Sequence, residues 1–231
     1  MKTETIKMQD IILLHGALGS KDQFEELIPL LNDSYAVHTL NFDGHGGEKP
    51  VEVFSVEHFS QNLVDYVRNH QLEEPVIFGY SMGGYVALYT AAQFPGLFGE
   101  IITLGTKFDW TPEGAEQEVQ LLNPDLIEEK IPPFAEYLKS LHAPFDWKAV
   151  MNQTADLMLR LGEKPLLTED MLRQVAVSVQ LNLGEEDNMI TEEETIQVKN
   201  IIRKATFRKI PNVPHPLQKI APKQLEKVIK Q

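Results

Sequence analysis

The stretch PVIFGYSMGGYVAL, residues 75–88, joins an apolar run to a second apolar segment through a turn that carries a serine. The run at 75–80 is typical of a strand buried on both faces, and residues 82–94 have the composition of a helix that stops before a Pro-Gly pair. A G-x-S-x-G sequence between a strand and a helix predicts a strained bend that holds the hydroxyl of Ser81 out of the sheet. The flanking glycines suit this bend because they carry no Cβ that would meet the neighbouring strand or helix.

The alternation of apolar strands and amphipathic helices continues on both sides of this stretch. Further strands are predicted at 11–14, 35–42, 100–105, 175–183 and 205–210, and further helices at 21–32, 56–70, 191–204 and 221–230. Apolar runs that do not alternate with polar residues indicate strands covered on both faces. The sequence therefore predicts an α/β fold whose mostly parallel sheet is flanked by helices.

The strand–helix rhythm breaks at residues 107–174, where apolar positions recur at helical spacing and prolines interrupt the run. This pattern predicts one core domain, made of residues 1–106 and 175–231, with a helical lid inserted at 107–174. The segment is rich in large apolar residues, namely Phe108, Trp110, Phe134, Tyr137, Leu138, Phe145, Trp147, Met151, Leu157 and Met158. We expect most of them to form the small core of the lid; the alternative is that some line an acyl or aromatic pocket beside the serine.

Composition excludes several classes of partner. The chain has 34 acidic and 21 basic residues, a formal charge of −13, which repels nucleic acid and anionic lipid surfaces. It contains no cysteine, so disulfides and thiolate zinc sites are absent. The first ten residues are polar, and the apolar run at 11–14 is too short for a signal-peptide core or a membrane span. We therefore expect a cytoplasmic protein that binds neither nucleic acid nor membranes.

Two backbone donors are predicted beside the serine. The helix that starts at Met82 directs unpaired N–H groups towards the site where an oxyanion would form during attack on an acyl carbon. The loop after the first strand, residues 15–20, can bring the N–H of Ala17 beside that of Met82. Together these two groups are predicted to form an oxyanion hole.

A serine needs a neighbouring base, because its hydroxyl is a weak nucleophile at neutral pH. Of the seven histidines, only His142 and His215 follow Ser81, as the base does in this kind of fold. His142 falls in the helical segment, whereas His215 follows the strand at 205–210 in a proline-rich loop, so His215 is the predicted base. His15 and His45 precede the serine and are expected to be structural.

The base must in turn be oriented by an acid. Such an acid is expected after the preceding strand, where residues 184–187 read Gly-Glu-Glu-Asp and Asp187 occupies the turn. Asp187 is the preferred candidate. Glu185, Glu186 and Asp109 remain alternatives, the last because it follows the strand that ends at 105.

These motifs together resemble the α/β-hydrolase superfamily over nearly the whole chain, and most of all its small lidded serine hydrolases and esterases. In that family an H-G-x-x-G-S loop supplies the oxyanion hole, and residues 15–20 match this loop. The G-x-S-x-G turn corresponds to Ser81, a G-x-x-D turn to Asp187, and a late histidine before the final helix to His215. The sequence departs from the family at Pro214, where a glycine often precedes the histidine.

The resemblance implies a serine hydrolase that cleaves a carboxylic ester or thioester of a small-molecule acyl substrate through an acyl-enzyme. No metal or organic cofactor is implied, because no H-E-x-x-H or nucleotide-binding loop is present. The same triad also serves carbon–carbon bond hydrolases, the menaquinone-pathway synthase and cofactor-free haloperoxidases, which remain alternatives. A ligand-binding receptor that has kept the fold without turnover is a further alternative. The oligomeric state is not predicted.

Overall fold

The structure, a computed structural model, describes residues 8–230. Residues 1–7, on which part of the expectation about a signal segment rested, lie outside this range. One sheet contains six strands: β1 (Gln9–Leu14), β2 (Tyr35–Leu40), β3 (Val76–Tyr80), β4 (Glu100–Leu104), β5 (Ser178–Glu186) and β6 (Ala205–Pro214). The strand order is β2-β1-β3-β4-β5-β6, and all five neighbouring pairs are parallel. The predicted parallel α/β architecture is confirmed.

Helices connect the strands. They are α1 (Ile28–Leu31), α2 (Val56–Asn69), α3 (Met82–Gln93), α4 (Pro112–Val119), α5 (Pro124–Lys130), α6 (Pro132–His142), α7 (Trp147–Glu163), α8 (Glu169–Gln174), α9 (Glu192–Ile201) and α10 (Pro222–Ile229), with short 3₁₀ helices at Lys21–Phe24 and Leu217–Lys219. None of the helices in the described part of the chain is both long enough and apolar enough for a membrane span.

The sheet is covered on both faces. Successive residues of β1 are fully buried and point to opposite sides, so that Ile12 and Leu14 pack with α2 and α3, whereas Ile11 and Leu13 pack with α1 and α10. This two-sided burial explains why the strand is a continuous apolar run. The carboxyl ends of the strands consequently lie at one edge, where loops can bring polar side chains together.

The prediction of one continuous helix at 21–32 is wrong. The chain forms a 3₁₀ helix at Lys21–Phe24 and then the separate short helix α1. Pro29, in the first turn of α1, has no N–H to bond to a preceding turn, and its ring would collide with that turn. Phe24, Leu27 and Leu31 are still buried and Ile28 is partly buried, because the two short helices present them to the same layer.

The boundary predicted at residue 210 is also wrong, since β6 continues to Pro214 and His215 follows the strand directly. Prolines cannot donate to a central ladder, but β6 is an edge strand with only one neighbour. Its pairing with β5 shifts register between Gly184, which pairs with Ile210, and Glu186, which pairs with Pro214. The irregularity therefore lies in the part of β6 that contains the prolines.

The residues between β4 and β5 form the five helices α4 to α8. This helical segment is tied to the loop after β2 by several hydrogen bonds. The side chain of Gln153 accepts from the N–H of Phe54 (2.9 Å) and donates to the carbonyl of Val51 (2.8 Å), and Arg160 donates to the carbonyl of Phe54 (2.5 Å). That the segment acts as a lid stays a prediction.

Candidate active site

Ser81 occupies a strained bend between β3 and α3. Its backbone lies at φ 50° and ψ −117°, a region that non-glycine residues rarely adopt. The bend is tied to β4 and the loop beyond it, because the N–H of Ser81 donates to the carbonyl of Leu104 (2.9 Å) and the hydroxyl of Thr106 donates to the carbonyl of Ser81 (3.1 Å). These bonds hold the strained serine in one conformation.

The glycines of the bend are required by close backbone packing. A Cβ at Gly79 would lie 2.5 Å from the Cα of Gly84, and a Cβ at Gly83 would lie 2.6 Å from the carbonyl oxygen of Leu14. Both distances are far shorter than van der Waals contact. The bend therefore depends on glycine at these positions for steric reasons.

His215 and Asp187 form a buried pair. Nδ1 of His215 lies 2.8 Å from Oδ2 of Asp187, and the two side chains are 10% and 2% exposed. The second carboxylate oxygen accepts hydrogen bonds from the N–H groups of Met189 (2.9 Å) and Ile190 (3.0 Å). With both oxygens engaged, the carboxylate is fixed, and Nε2 of the imidazole remains for a different partner.

The environment keeps this carboxylate ionised. Burial by itself would raise the pKa of Asp187, but the hydrogen bond and charge of His215 and the two backbone N–H groups outweigh it, so the pKa lies below its ordinary value. An anionic Asp187 accepts the Nδ1 proton of His215. The geometry thus favours the tautomer in which Nε2 carries a lone pair and can accept a proton.

Four of the five predicted site residues line one pocket, and the fifth, Asp187, contacts it through His215. Ser81, His215, Ala17 and Met82 all line a narrow cavity of about 60 Å³. A Cβ placed on Gly16 would lie 3.1 Å from the Cβ of Ser81, so the loop that contains Ala17 runs beside the serine. The remaining lining is mostly apolar and comes largely from the helical segment: Val56, Tyr85, Lys107, Trp110, Glu118, Thr154, Leu157, Met158, Leu161, Met189 and Ile190.

The alternative acids do not occupy this position. Glu185 and Glu186 are exposed at the end of β5. Asp109 is exposed as well, and its N–H donates to the side chain of Glu194 (2.8 Å). Of the four candidates, Asp187 is the one whose carboxylate contacts the imidazole of His215.

The other candidate histidines have structural contacts. His15 is fully buried; its Nδ1 lies 2.8 Å from the carbonyl of Gly16, and its Nε2 accepts from the N–H of Phe42 (3.1 Å). His142 accepts a hydrogen bond at Nδ1 from the N–H of Gly46 (3.1 Å). His15 therefore joins the loop beside the serine to the loop after β2, and His142 joins that second loop to α6.

Burial keeps these histidines neutral, and acid should destabilise the protein as a result. Desolvation lowers the pKa of His15 to about 4 and also lowers the pKa values of His45 and His142. The histidines of the unfolded chain bind protons near pH 6.5, whereas those of the folded chain do not. Their contribution to the free energy of unfolding is therefore fully present above pH 6.5 and is lost as the pH falls towards 4. From His15 alone we expect a loss of about 2 kcal/mol between pH 7 and pH 5.

Urea denaturation at the two pH values measures this loss. The variant His15→Asn should show a smaller pH dependence than the wild type, whereas the same substitution at exposed His70 should leave the dependence unchanged. Equal pH dependence in wild type and His15→Asn would contradict the assignment.

Sequence reasoning missed the residue that anchors the pocket wall. Glu194 is buried, and its Oε2 accepts from the N–H groups of Phe108 (3.0 Å) and Asp109 (2.8 Å). Its Oε1 accepts from the N–H of Thr191 (2.7 Å), as part of a capping box at the start of α9. The T-x-x-E sequence at 191–194 signals this cap, but the contact with residues 108 and 109 is tertiary.

Curated proteins resemble part of the chain. An ethanol acetyltransferase of Hanseniaspora uvarum is 31% identical over 94 residues, which cover 39% of this chain and 28% of that protein. A pimeloyl-[acyl-carrier protein] methyl ester esterase of Photobacterium profundum is 27% identical over 114 residues, which cover 48% of this chain and 42% of that protein. The matches thus span less than half of either relative.

Solved structures resemble the fold as a whole. A thermophilic esterase from Thermogutta terrifontis superposes with a TM-score of 0.76, covering 97% of this chain and 89% of that chain at 20% identity. A family model described as the alpha/beta hydrolase fold matches residues 11–126, half of the sequence. With the parallel sheet and the strand–serine–helix bend, this match shows that the chain belongs to the α/β-hydrolase family.

Proposed function

We propose that the protein is a serine hydrolase that cleaves carboxylic esters or thioesters through an acyl-enzyme. The observation that carries the proposal is the buried His215–Asp187 pair, whose imidazole lines the same pocket as Ser81. A nucleophile in a strained bend, a base and an orienting acid are the three parts that acyl transfer by serine requires. The methyl ester esterase among the relatives carries out chemistry of this class by name.

In the first half-reaction, Oγ of Ser81 attacks the acyl carbon while Nε2 of His215 takes its proton. Asp187 stabilises the imidazolium that forms. The carbonyl oxygen becomes an oxyanion, which in this proposal the N–H groups of Ala17 and Met82 bind, and each such donor contributes about 3 kcal/mol to the transition state. The imidazolium then protonates the leaving alcohol or thiol, and the acyl group remains on the serine.

In the second half-reaction, water replaces the leaving group. His215 removes a proton from the water as it attacks the acyl-enzyme, and the same proton returns to Oγ of Ser81 when the acid departs. The acid released and the alcohol together contain the atoms of one ester and one water. The triad ends in its starting state.

The size of the pocket favours short acyl groups. Its volume is about 60 Å³, well below the roughly 150 Å³ cavity that admits benzene in another protein. We therefore expect kcat/KM to be highest for p-nitrophenyl acetate to butyrate and to fall by about tenfold or more for octanoate, since a longer chain must displace packed side chains. A panel of p-nitrophenyl esters, with acetyl-CoA as a thioester, measures this.

The panel also tests the function itself. Turnover of at least one short ester is the expected result. If purified protein with an intact fold hydrolyses no ester or thioester of any chain length, the proposed hydrolase activity is wrong. A preference for octanoate over acetate would leave the hydrolase and overturn the size argument.

Acyl transfer to a small alcohol is a second candidate. The similarity to an ethanol acetyltransferase and the small pocket both favour an acetyl-sized group on Ser81. Ethanol added to a reaction with p-nitrophenyl acetate would then yield ethyl acetate, measured by gas chromatography. The ratio of ethyl acetate to acetate should exceed the molar ratio of ethanol to water. Release of acetate alone would exclude this transferase activity and leave the hydrolase.

A further inference from the structure

Trp110 lines the pocket that contains Ser81 and His215, and its indole carries an unpaired donor. Its Nε1–H is completely buried and has no acceptor among residues 8–230. An unpaired buried N–H costs about 1–3 kcal/mol, and for this reason such groups are rare and mark places where a ligand or water supplies the missing partner. The indole N–H is a donor only, so that partner must be an acceptor.

The other polar groups of the pocket are already engaged. The hydroxyl of Thr154 donates to the carbonyl of Val150 (2.8 Å), and the ammonium group of Lys107 lies 3.4 Å from the carboxylate of Glu118. The charges of Lys107 and Glu118 compensate each other. The hydroxyl of Tyr85 accepts from two backbone N–H groups, so that Trp110, apart from Ser81 and His215, is the polar side chain of the pocket without a hydrogen-bond or ion-pair partner among residues 8–230.

The donor is also held in a fixed position. Glu194 binds the N–H groups of Phe108 and Asp109, which fixes the chain immediately before Trp110. The ammonium group of Lys107 lies 5.6 Å from the centre of the indole ring, within the range of a cation–π contact. A donor on a fixed chain loses little entropy when it binds an acceptor, which favours recognition.

We propose that Trp110 is a specificity-determining residue whose N–H binds an oxygen in the acyl group of the substrate, beyond the reacting carbonyl. The substrate class is a short, neutral acyl ester that bears an ether, hydroxyl or keto oxygen. We assign the acceptor to the acyl group because it stays on Ser81 through both half-reactions and keeps the buried N–H paired, whereas the leaving group departs after the first. The inference rests on the proposed function and names its substrate.

Matched ester pairs test this assignment. p-Nitrophenyl methoxyacetate and butyrate have equal length and differ by one oxygen in place of a methylene, as do β-methoxypropionate and valerate. For each pair, the ratio of kcat/KM for the ether to kcat/KM for the hydrocarbon ester is measured in the wild type and in Trp110→Phe. Comparing the two ratios cancels the intrinsic reactivity of each ester, which is the same for both enzymes. The variant keeps an aromatic ring but has no N–H, and we expect it to lower the ratio about tenfold in at least one pair.

The chain contains a matched control. Trp147, the second of its two tryptophans, is buried in a separate cluster with Ile127 and Leu138 and does not line the pocket. Trp147→Phe should leave both ratios unchanged. Unchanged ratios in Trp110→Phe, or equal changes in the two variants, would overturn the proposal. Faster turnover of p-nitrophenyl hemisuccinate than of valerate would overturn its restriction to neutral acyl groups.

A binding measurement separates this proposal from the hydrolase activity. In Ser81→Ala, calorimetry with methyl methoxyacetate and methyl butyrate reports recognition without turnover, and adding Trp110→Phe should remove the preference for the ether. If the wild type hydrolysed no ester but this preference persisted, the proposed function would fail while the role of Trp110 stood. If esters were hydrolysed without any such preference, only the role of Trp110 would fail.

Discussion

Replacing Ser81 with alanine is expected to lower kcat for p-nitrophenyl acetate by about a million-fold, the loss that removal of a triad serine causes in a serine protease. The fold offers no substitute nucleophile in the strained bend between β3 and α3. Stopped assays over hours are needed to measure the residual rate. A fluorophosphonate probe should label the wild type at Ser81, as mapped by mass spectrometry, and should not label the variant.

Ser140→Ala is the matched control, because Ser140 is exposed on α6, outside the residues that line the pocket. It should retain wild-type turnover and labelling. Ser81→Ala should also unfold at a urea concentration close to that of the wild type or higher, because the substitution removes only the hydroxyl group and leaves the backbone of the bend unchanged. Turnover by folded Ser81→Ala within tenfold of the wild type would rule out the acyl-enzyme mechanism.

Asp187→Asn is expected to lower kcat by about ten-thousand-fold with little change in overall structure. The amide can donate to Nδ1 of His215, which favours the tautomer that carries its proton on Nε2. That nitrogen then has no lone pair with which to take the proton of Ser81. Because the pKa of Asp187 is lowered in the folded protein, the wild-type carboxylate is ionised across the neutral range in which the rates are compared.

Asp109→Asn and Glu186→Gln make the same chemical change at exposed positions. Both variants should keep kcat within a few-fold of the wild type. A loss in Asp109→Asn larger than the loss in Asp187→Asn would mean that the orienting acid has been assigned to the wrong residue. Circular dichroism of each variant establishes that the fold is retained.

The fold was predictable because its signals are local. Every predicted strand exists, since a buried parallel strand is recognised by a continuous apolar run that needs no knowledge of its neighbours. The errors arose where one residue opposed the pattern. Pro29 divides a helix that the apolar spacing makes continuous, and Pro211 and Pro214 lie inside a strand that composition would end earlier.

The candidate site was predictable from sequence only where a local motif marks its residues. Ser81, Asp187 and His215 stand at ends of strands, and the parallel topology brings those ends to one edge. The contact between Glu194 and residues 108 and 109, and the unpaired N–H of Trp110, depend on how side chains pack between distant segments. No periodicity or composition encodes that packing.

The two sets of hydrogen bonds made by Glu194 have a consequence for ligand selectivity. One carboxylate secures both the first turn of α9, in the outer layer, and the chain that leads to Trp110. We therefore expect a substitution that displaces the first turn of α9 to displace the pocket wall at Trp110 as well, without contact to Ser81 or His215. Substitutions in α9 are therefore expected to change ligand choice while the proposed catalytic residues stay unchanged.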